Sequence, residues 1–345
     1  AGARATSPTQ PAMIVPPVSV ALSRNTQILA TARNQFDTAI YVRPSTIPPT
    51  SISLKGPETW RGEIKQSQST PGQASFTVVA PPGLRKPVLL TGSVKFTDGK
   101  TYAEGYQAVG YPGLTPTNYY TWATLRVIPV EVTTAPDLKI AYIPGTGDDT
   151  PAALEQLGVT PHILTAAEIT PDSLKSFDAV ILGVRAYEHR EIASDNAALN
   201  AYAAAGGVVL VQYNTGKLPD GTGPYPLNLG DSEKVVEENA PVALLEPANP
   251  LLTWPNKITS ADFNGWVEER GHGFMGTWDP HYIALTETHD QDQKPQRGGL
   301  LVARIGRGAW IYVAYALYRQ FPEGVPGSYR ILANLISAGK NPGLK

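Results

Sequence analysis

Residues 139–158 read KIAYIPGTGDDTPAALEQLG, and this stretch decides the fold of the second half of the chain. The apolar run 138–143 predicts a short buried strand, and a glycine-rich turn follows it. Thr150 then stands at the N-cap and Pro151 at the first position of a helix over 152–157. The stretch therefore predicts one β–α unit.

The same order of strand and helix recurs further along the chain. The predicted elements are strands at 162–164, 179–183, 208–213, 282–287, 299–305 and 309–314, and helices at 171–176, 194–205 and 327–337. Three or four β–α units predict a doubly wound, mostly parallel α/β sheet with right-handed crossovers.

Before residue 133 the periodicity is that of strands alone. Short β-rich runs occur about every ten residues, which predicts an all-β sandwich of the immunoglobulin-like kind; the runs are 26–32, 36–42, 51–54, 74–80, 88–96, 101–109 and 123–132. Within KFTDGKTY at 95–102, Asp98 and Gly99 predict a tight hairpin turn in which both residues have positive φ.

These patterns divide the chain of 345 residues into three parts. Residues 1–12 are expected to be a disordered lead-in, residues 13–134 a β-sandwich and residues 137–342 an α/β domain. The boundary is placed at 133–136, where the periodicity changes and Pro136 ends the last strand. Residues 1–135 hold 12 Lys and Arg against 6 Asp and Glu, whereas the remainder holds 16 against 24, so the sign of the charge changes there too.

Composition excludes several classes of function. The chain has no Cys, which rules out disulfides, thiolate zinc sites and a cysteine nucleophile, but the compartment stays open and a secreted or periplasmic bacterial location is compatible. The basic residues are scattered singly, so no nucleic-acid partner is expected. No apolar run is long enough to span a membrane, and no membrane partner is expected.

Candidate ligand-binding residues lie after the predicted strands, because ligands of open α/β sheets bind beyond the carboxyl ends of the strands. Three polar loops follow strands at 144–150, 184–191 and 212–216. The carboxylates, amides, arginine and phenol in these loops suit a neutral polyol as ligand. When no ligand is bound, Arg185 is expected to pair with Asp148, Asp149 or Glu188. The candidates are Asp148, Asp149, Arg185, Tyr187, Glu188, Gln212 and Asn214.

Each sharper interpretation of these loops has a plainer alternative. Gly145 and Gly147 resemble a dinucleotide-binding turn, but the two aspartates after them would repel a pyrophosphate and instead suit a helix N-terminus. Asp148, Asp149, Glu188 and His189 could form a metal site or simply a solvated polar rim; neither a metal nor an organic cofactor is expected. No serine stands in a G-x-S-x-G elbow.

Aromatic residues are numerous in the second half. They could stack on sugar rings, although aromatic side chains are more often part of a core. The residues in question are Tyr225, Trp254, Trp266, Trp278, Tyr282 and Trp310.

Several runs resemble the C-terminal region of large bacterial LmbE-like (PIG-L) deacetylases. They are KIAYIPGTGDD (139–149), FDAVILGVRAYEHRE (177–191), AAGGVVLVQYNTG (204–216), PNKITSADFNGWVEERG (255–271) and the segment 298–339, with a less specific match at SVKFTDGKTYAEGYQAVGYP (93–112). The resemblance covers about residues 75–340. It implies an immunoglobulin-like sandwich followed by a class I glutamine-amidotransferase-like, or ThuA-like, α/β domain.

The resemblance also implies a parent protein that is a zinc-dependent N-deacetylase of N-acetylglucosamine-type sugars. The His-Pro-Asp-Asp metal motif of that catalytic domain is absent here, and Gln212 stands about where an amidotransferase domain carries its nucleophilic Cys. A carboxamide cannot attack a carbonyl carbon. The chain is therefore expected to be a non-catalytic accessory module, with the parent's deacetylase domain as partner and a glycan as ligand. The alternatives are a stand-alone hydrolase that uses the carboxylates of the rim and a purely structural spacer.

Overall fold

The structure is a computed structural model and describes residues 15–43, 48–70, 72–111, 114, 117–189, 192–230 and 233–344. The expected lead-in at 1–12 lies outside these residues. The chain divides into two compact units, the first made of Ala1–Gln27 and Arg33–Ile128, the second of Ile28–Ala32 and Pro129–Lys345.

Among the described residues, eleven strands between Ser19 and Val130 form two antiparallel sheets and a two-stranded ribbon. They are β1 (Ser19–Leu22), β2 (Thr26–Ala30), β3 (Gln35–Arg43), β4 (Ser51–Lys55), β5 (Glu63–Thr70), β6 (Gln73–Val79), β7 (Val88–Lys95), β8 (Thr101–Tyr102), β9 (Glu104–Val109), β10 (Thr117–Trp122) and β11 (Thr124–Val130). One sheet has the order β1-β3-β6-β5 and the other β2-β11-β7-β4, with β8 paired to β7 and β10 to β9.

Alternating burial builds the core between the two sheets. Strand β6 buries every second residue, as a strand does when one face meets a core. Ile40 of β3 is fully buried, and its Cδ1 lies 2.9 Å from where a Cβ on Gly92 of β7 would stand. A larger residue at position 92 would therefore collide with the facing sheet.

The predicted hairpin forms, but its turn differs from the prediction. Lys95 pairs with Thr101, and the Phe96 amide donates to the Lys100 carbonyl at 3.0 Å. Gly99 has φ +82°, whereas Asp98 does not have positive φ and instead accepts the Lys100 amide at 3.0 Å. The Asp side chain stabilises the turn by that local bond, so only the glycine needs the left-handed region.

The second unit alternates strands and helices. Its strands are β12 (Ile140–Ile143), β13 (His162–Ile163), β14 (Ala179–Leu182), β15 (Val208–Gln212), β16 (Leu227–Asn228), β17 (Glu233–Val235), β18 (Val242–Leu244), β19 (Gly271–Phe274), β20 (Thr277–Trp278), β21 (Tyr282–Ala284), β22 (Thr286–Thr288), β23 (Leu300–Ile305) and β24 (Gly308–Val313). Its helices are α1 (Thr150–Gln156), α2 (Pro171–Leu174), α3 (Ala186–His189), α4 (Asn196–Ala204), α5 (Pro250–Thr253), α6 (Leu317–Glu323) and α7 (Pro326–Ser337).

The main sheet of this unit has the order β13-β12-β14-β15-β24-β23-β21. Its first five strands are parallel, and β23 and β21 continue it antiparallel. Strands β12, β14, β15 and β24 are buried throughout, as expected of parallel strands covered on both faces. The parallel α/β sheet expected from the sequence is therefore confirmed.

Residues 133–136, where the sequence places the domain boundary, are packed within the second unit. The Thr133 amide donates to Asn256 Oδ1 and the Ala135 amide to Ser337 Oγ, both at 2.9 Å. Ala135 is 4% exposed, and Lys340 Nζ donates to the Pro136 carbonyl at 2.7 Å. The change of periodicity marks the end of the β-rich part, but the backbone after it is already packed.

Candidate functional site

The carboxyl ends of β12 and β14 lie side by side at the point where the strand order reverses. The chain passes from β12 to β13 on one side and then returns to β14 on the other, so this is the topological switch point of the sheet. The Thr146 amide donates to the Val184 carbonyl at 2.9 Å. A Cβ on Gly145 would stand 2.0 Å from that same carbonyl oxygen. Glycine at 145 thus lets the two loops touch.

Asp148 joins these two loops through hydrogen bonds to both oxygens of its carboxylate. One carboxylate oxygen accepts the Tyr142 hydroxyl at 2.6 Å and the Val184 amide at 3.0 Å. The other accepts the Thr150 amide at 2.9 Å. Asp148 therefore closes the switch point internally and leaves little capacity for a ligand.

Asp149 is the carboxylate of this loop that faces solvent. It is the N-cap of α1, one residue before the predicted N-cap Thr150, and its side chain makes no capping bond. Partial burial, with a smaller contribution from the charge of Asp148, raises the pKa of Asp149 above its usual range. An exposed carboxylate at a sheet rim can accept hydrogen bonds from a ligand.

Gln212 ends β15 and is buried, at 5% exposed. Its Nε2 donates to Thr150 Oγ1 at 3.1 Å, and the Thr150 hydroxyl lies 3.3 Å from Oε1, to which it can donate. Thr150 is fully buried. Gln212 stands about where the resemblance puts a nucleophilic Cys. Its side chain instead pairs with the Thr150 hydroxyl and so connects β15 to the first turn of α1.

Tyr187 and Asn214 also turn inward. The Tyr187 hydroxyl donates to Asn196 Oδ1 at 2.7 Å, and burial raises the pKa of this phenol. Asn214 is fully buried, accepts the Tyr187 amide at 3.2 Å and donates to the Gln212 carbonyl at 3.0 Å. The polar tip of Tyr187 therefore already has an internal partner, Asn196.

Arg185 stands in the sharp turn between β14 and α3 with φ +55°. A non-glycine residue in this region carries backbone strain, of the kind that clusters at functional sites. Its guanidinium donates to Glu188 Oε2 from Nε at 2.8 Å and from Nη2 at 2.5 Å. The expected partner Glu188 is confirmed, and the side chain of Arg185 remains 39% exposed.

Glu188 connects this turn to the loop after β15. Its Oε1 accepts the Thr215 amide at 2.6 Å, the Thr215 hydroxyl at 2.8 Å and the Gly216 amide at 3.2 Å. Burial alone would raise the pKa of Glu188, but hydrogen bonds from Arg185, Thr215 and Gly216 outweigh it and lower the pKa to about 2. The group is a carboxylate at every physiological pH.

A cleft of about 400 Å³ begins immediately after the residues that Glu188 holds. It is lined by consecutive residues of one loop, 217–228, which contains three prolines and two glycines. Asn200 Nδ2 donates to the carbonyls of Gly221 and Gly223, both at 3.0 Å. The loop is therefore fixed at its start by Glu188 and at its middle by α4.

A stack of three rings that the sequence did not single out includes Tyr213, whose carbonyl accepts the Arg185 amide. Tyr213 follows β15, and its ring stacks on His272 at 5.8 Å and on Tyr318 at 5.5 Å between centroids. The Tyr318 hydroxyl lies 3.4 Å from Glu269 Oε1. The Arg185 amide donates to the Tyr213 carbonyl at 2.8 Å, which places the backbone of Tyr213 beside the Arg185 turn. Tyr213 and Tyr318 each come just after a parallel strand, which is the signal that could have identified them.

We call Arg185, Glu188, Tyr213, His272 and Tyr318 the rim cluster. Of the seven predicted site residues, Arg185 and Glu188 belong to it, and Asp149 faces solvent in the loop after β12. Four others are tied to internal partners: Asp148, Tyr187, Gln212 and Asn214. The structure thus brings polar side chains from three loops to the carboxyl ends of the strands, but it uses most of them to hold the loops together.

The remaining predictions have mixed outcomes. Among the residues that the structure describes, no group of three or more His, Asp or Glu side chains is placed to hold a metal ion. The side chain of His189, a member of the predicted metal site, lies outside the described part of the chain. Trp266, Tyr282 and Trp310 are buried to 3% exposed or less, so they are core residues. Within the described part of the chain, no helix is both long and apolar enough to cross a membrane.

Comparison with known proteins gives weak similarities only. No protein-family model matches this chain, and no curated protein matches it. It is similar to a solved ThuA-like protein from Bacteroides uniformis at 13% identity and a TM-score of 0.38, over 68% of this chain and 100% of that one.

Two further solved structures are similar over part of the chain. A cold-adapted β-galactosidase from Rahnella sp. R3 has 17% identity and a TM-score of 0.37 over 61% of this chain, which spans 32% of that enzyme. The tandem Ig repeats of Dlar have 10% identity and a TM-score of 0.21 over 36% of this chain and 58% of that one. The fold described above rests on the strand order itself.

Proposed function

We propose that this chain is a non-catalytic accessory module of an LmbE/PIG-L-type zinc-dependent sugar N-deacetylase. In this proposal the first unit is an immunoglobulin-like sandwich and the second a class I glutamine-amidotransferase-like, or ThuA-like, domain. The observation that carries the proposal is the buried pair of Gln212 and Thr150. It occupies the place where the resemblance puts a cysteine nucleophile, and a carboxamide cannot attack a carbonyl carbon.

The ligand that fits the rim is a neutral polyol. Asp149 offers an exposed carboxyl group, Arg185 keeps part of its guanidinium exposed, and Tyr318 adds a hydroxyl that is half-buried beside Glu269. Such groups donate to and accept from sugar hydroxyls, and the half-buried His272 adds ring surface. A phosphate is a poor fit because Asp148, Asp149 and Glu188 place negative charge in the same loops.

A second candidate function is a hydrolase that uses the carboxylates of the rim. The observation in its favour is the raised pKa of Asp149, since a general acid needs such a shift. A hydrolase also needs a second group poised to act as base or nucleophile. The neighbouring Asp148 is engaged by Tyr142, Thr150 and Val184, so this candidate is the weaker of the two.

Activity assays on the purified full chain separate these functions. Acetate release from N-acetylglucosamine conjugates and ammonia release from glutamine should both be absent, with or without added zinc. Release of acetate that a chelator abolishes would show that the chain is itself a deacetylase. Acetate or sugar release that persists with chelator and disappears in Asp149→Asn would favour the carboxylate hydrolase.

Binding to the rim has its own test. Titration with N-acetylglucosamine, followed by NMR, should shift signals of rim residues and weaken in Asp149→Asn and Tyr318→Phe. Asp172→Asn is the matched control, since Asp172 is a solvent-exposed carboxylate paired with Lys175 at a distance from these loops in sequence. Binding that is equally strong in all three variants would remove the rim from the proposal.

A further inference from the structure

The ribbon formed by β9 and β10 in the first unit carries an unusual density of exposed aromatic rings. Tyr119 and Trp122 are each 63% exposed and Tyr120 is 48% exposed. Soluble proteins rarely leave several large aromatic side chains on one short element exposed unless the surface is used. The ribbon is far from the rim cluster in sequence and lies wholly within the first unit.

The register of the ribbon sorts these rings onto two faces. Tyr120 pairs with Tyr106 and Trp122 with Glu104, and directly paired residues share a face. Successive residues of a strand alternate, so Tyr120 and Trp122 lie on one face about 7 Å apart along the strand, while Tyr119 points to the other face. The Tyr106 and Tyr120 rings contact each other at 6.3 Å between centroids with a tilt of 43°.

The ribbon is anchored to the body of the first unit through β1. Ser19 Oγ donates to the Tyr106 carbonyl at 3.1 Å and accepts the Tyr106 amide at 2.9 Å. A Cβ on Gly105 would stand 2.6 Å from the Val20 carbonyl oxygen, so the two backbones are in close contact. The aromatic face is therefore held in place before any ligand arrives, which lowers the entropy cost of binding.

The chemistry of this face points to an uncharged ligand. Between residues 104 and 122 the sequence has one charged side chain, Glu104, and no Lys or Arg; the remainder are aromatic, amide, hydroxyl, small or aliphatic residues. Surfaces for single-stranded nucleic acid combine stacking rings with basic side chains, and helices that bind anionic membranes carry Lys and Arg beside their apolar face. The ribbon has stacking rings but no Lys or Arg between residues 104 and 122.

We propose that the Tyr120–Trp122 face of the ribbon binds neutral oligosaccharide chains by stacking sugar rings on Tyr120 and Trp122. The apolar faces of sugar rings fit aromatic planes, and Glu104, opposite Trp122, can accept hydrogen bonds from ring hydroxyls. The inference deepens the proposed accessory function, on which it rests for the class of ligand, and adds a second binding surface that is separate from the rim.

Titration of the full chain with chitohexaose and with cellohexaose tests this inference. Calorimetry should detect binding of at least one of these neutral hexasaccharides. Trp122→Ala should weaken that binding by roughly tenfold or more, the effect expected when one stacked ring is removed. Trp122→Phe should recover part of the loss because it restores a ring. Trp122 is exposed, so neither change should lower the melting temperature.

Tyr119→Ala is the matched control, because Tyr119 has the same exposure as Trp122 but lies on the opposite face. It should change the affinity less than twofold. Equal losses in Trp122→Ala and Tyr119→Ala, or no binding of either hexasaccharide at millimolar concentration, would overturn the inference.

Two further outcomes would assign the ribbon to another partner. Concentration-dependent dimerisation that Trp122→Ala abolishes would make the face a contact between copies of this chain. Sedimentation with phosphatidylcholine vesicles that Trp122→Ala abolishes would make it a membrane contact. The rim variants Asp149→Asn and Tyr318→Phe distinguish the two proposals, since hexasaccharide binding lost only in those variants would overturn the ribbon site and leave the rim site standing.

Discussion

The guanidinium of Arg185 and the carboxylate of Glu188 form an ion pair across one turn of α3, with distances of 2.8 Å and 2.5 Å to the same oxygen. The other oxygen of Glu188 holds the Thr215 and Gly216 amides. One carboxylate thus joins the turn after β14 to the loop after β15. Removing the Glu188 carboxylate should therefore disturb both the turn and the loop.

Glu188→Gln should destabilise the second unit by about 1–2 kcal/mol, because charge-assisted hydrogen bonds to partly buried amides are lost. Amide hydrogen exchange at Thr215 and Gly216 should become faster. Asp172→Asn removes a carboxylate that pairs with Lys175 at the same spacing but in full solvent, so it should change neither quantity measurably. Unchanged exchange at 215–216 in Glu188→Gln would show that the loop is held by something else.

The same carboxylate should contribute to acid sensitivity. Its pKa is about 2 in the folded chain against an ordinary value of 4.5, so the folded state favours the charged form. This contribution is present above about pH 4.5 and is lost as the pH falls toward 2. Urea unfolding at pH values from 6 to 2 should show a steeper loss of stability in the wild type than in Glu188→Gln. Parallel curves would contradict the assignment.

Arg185→Gly and Arg185→Ala should differ although both remove the ion pair. Position 185 has φ +55°, which glycine adopts without penalty and alanine does not. We expect the glycine variant to be more stable than the alanine variant by about 1 kcal/mol in urea unfolding. Equal stability would mean that the backbone relaxes out of the left-handed region once the guanidinium is gone.

Gln212 and Thr150 should be energetically coupled. Gln212→Leu leaves the buried Thr150 hydroxyl without its partner, and Thr150→Val does the same to the Gln212 amide, so each should cost about 1–3 kcal/mol. The double variant should cost less than the sum of the two by at least about 0.5 kcal/mol. An additive cycle would show that the two side chains do not depend on each other.

Limited proteolysis should spare residues 133–136. Their amides are bonded to Asn256 and Ser337, and a protease needs several residues of extended, accessible backbone. Ser337→Ala removes the partner of the Ala135 amide and should increase cleavage there. Rapid cleavage at 133–136 in the wild type, identified by mass spectrometry, would show that these hydrogen bonds do not protect the segment.

Local pattern predicted much of the second unit. Apolar runs such as the one over Ala179–Leu182 identified buried strands within a residue or two, because a parallel strand must be apolar on both faces. The closing helix over Pro326–Ser337 was predicted to begin one residue later than it does. In the first unit, β1, β5 and β10 were missed. The segment Glu63–Thr70 of β5 has a single apolar residue, Ile64, so it gives no alternation to detect.

The sequence predicted where the candidate site lies, but not which of its side chains are free to contact a ligand. Parallel strands point their carboxyl ends to one rim, so the loops containing Asp148, Arg185 and Gln212 could be brought together from the sequence. The sequence could not show which of these side chains remain free of internal partners. Asp148 is hydrogen-bonded to Val184, 36 residues away in the chain, and Gln212 to Thr150, 62 residues away. The exposure of Trp122 was also missed, because the strand that contains it, β10, was not predicted.

The sequence by itself determined the element types and the order of the α/β unit, because hydrophobic periodicity and turn residues act over a few neighbouring positions. Only the tertiary structure decided that Asp148, Tyr187, Gln212 and Asn214 are consumed by internal hydrogen bonds and that Arg185 and Trp122 are not buried. The physical reason is that a buried polar group must find a partner, and its partner is chosen by which loops the sheet brings within about 3 Å, not by nearness in the chain.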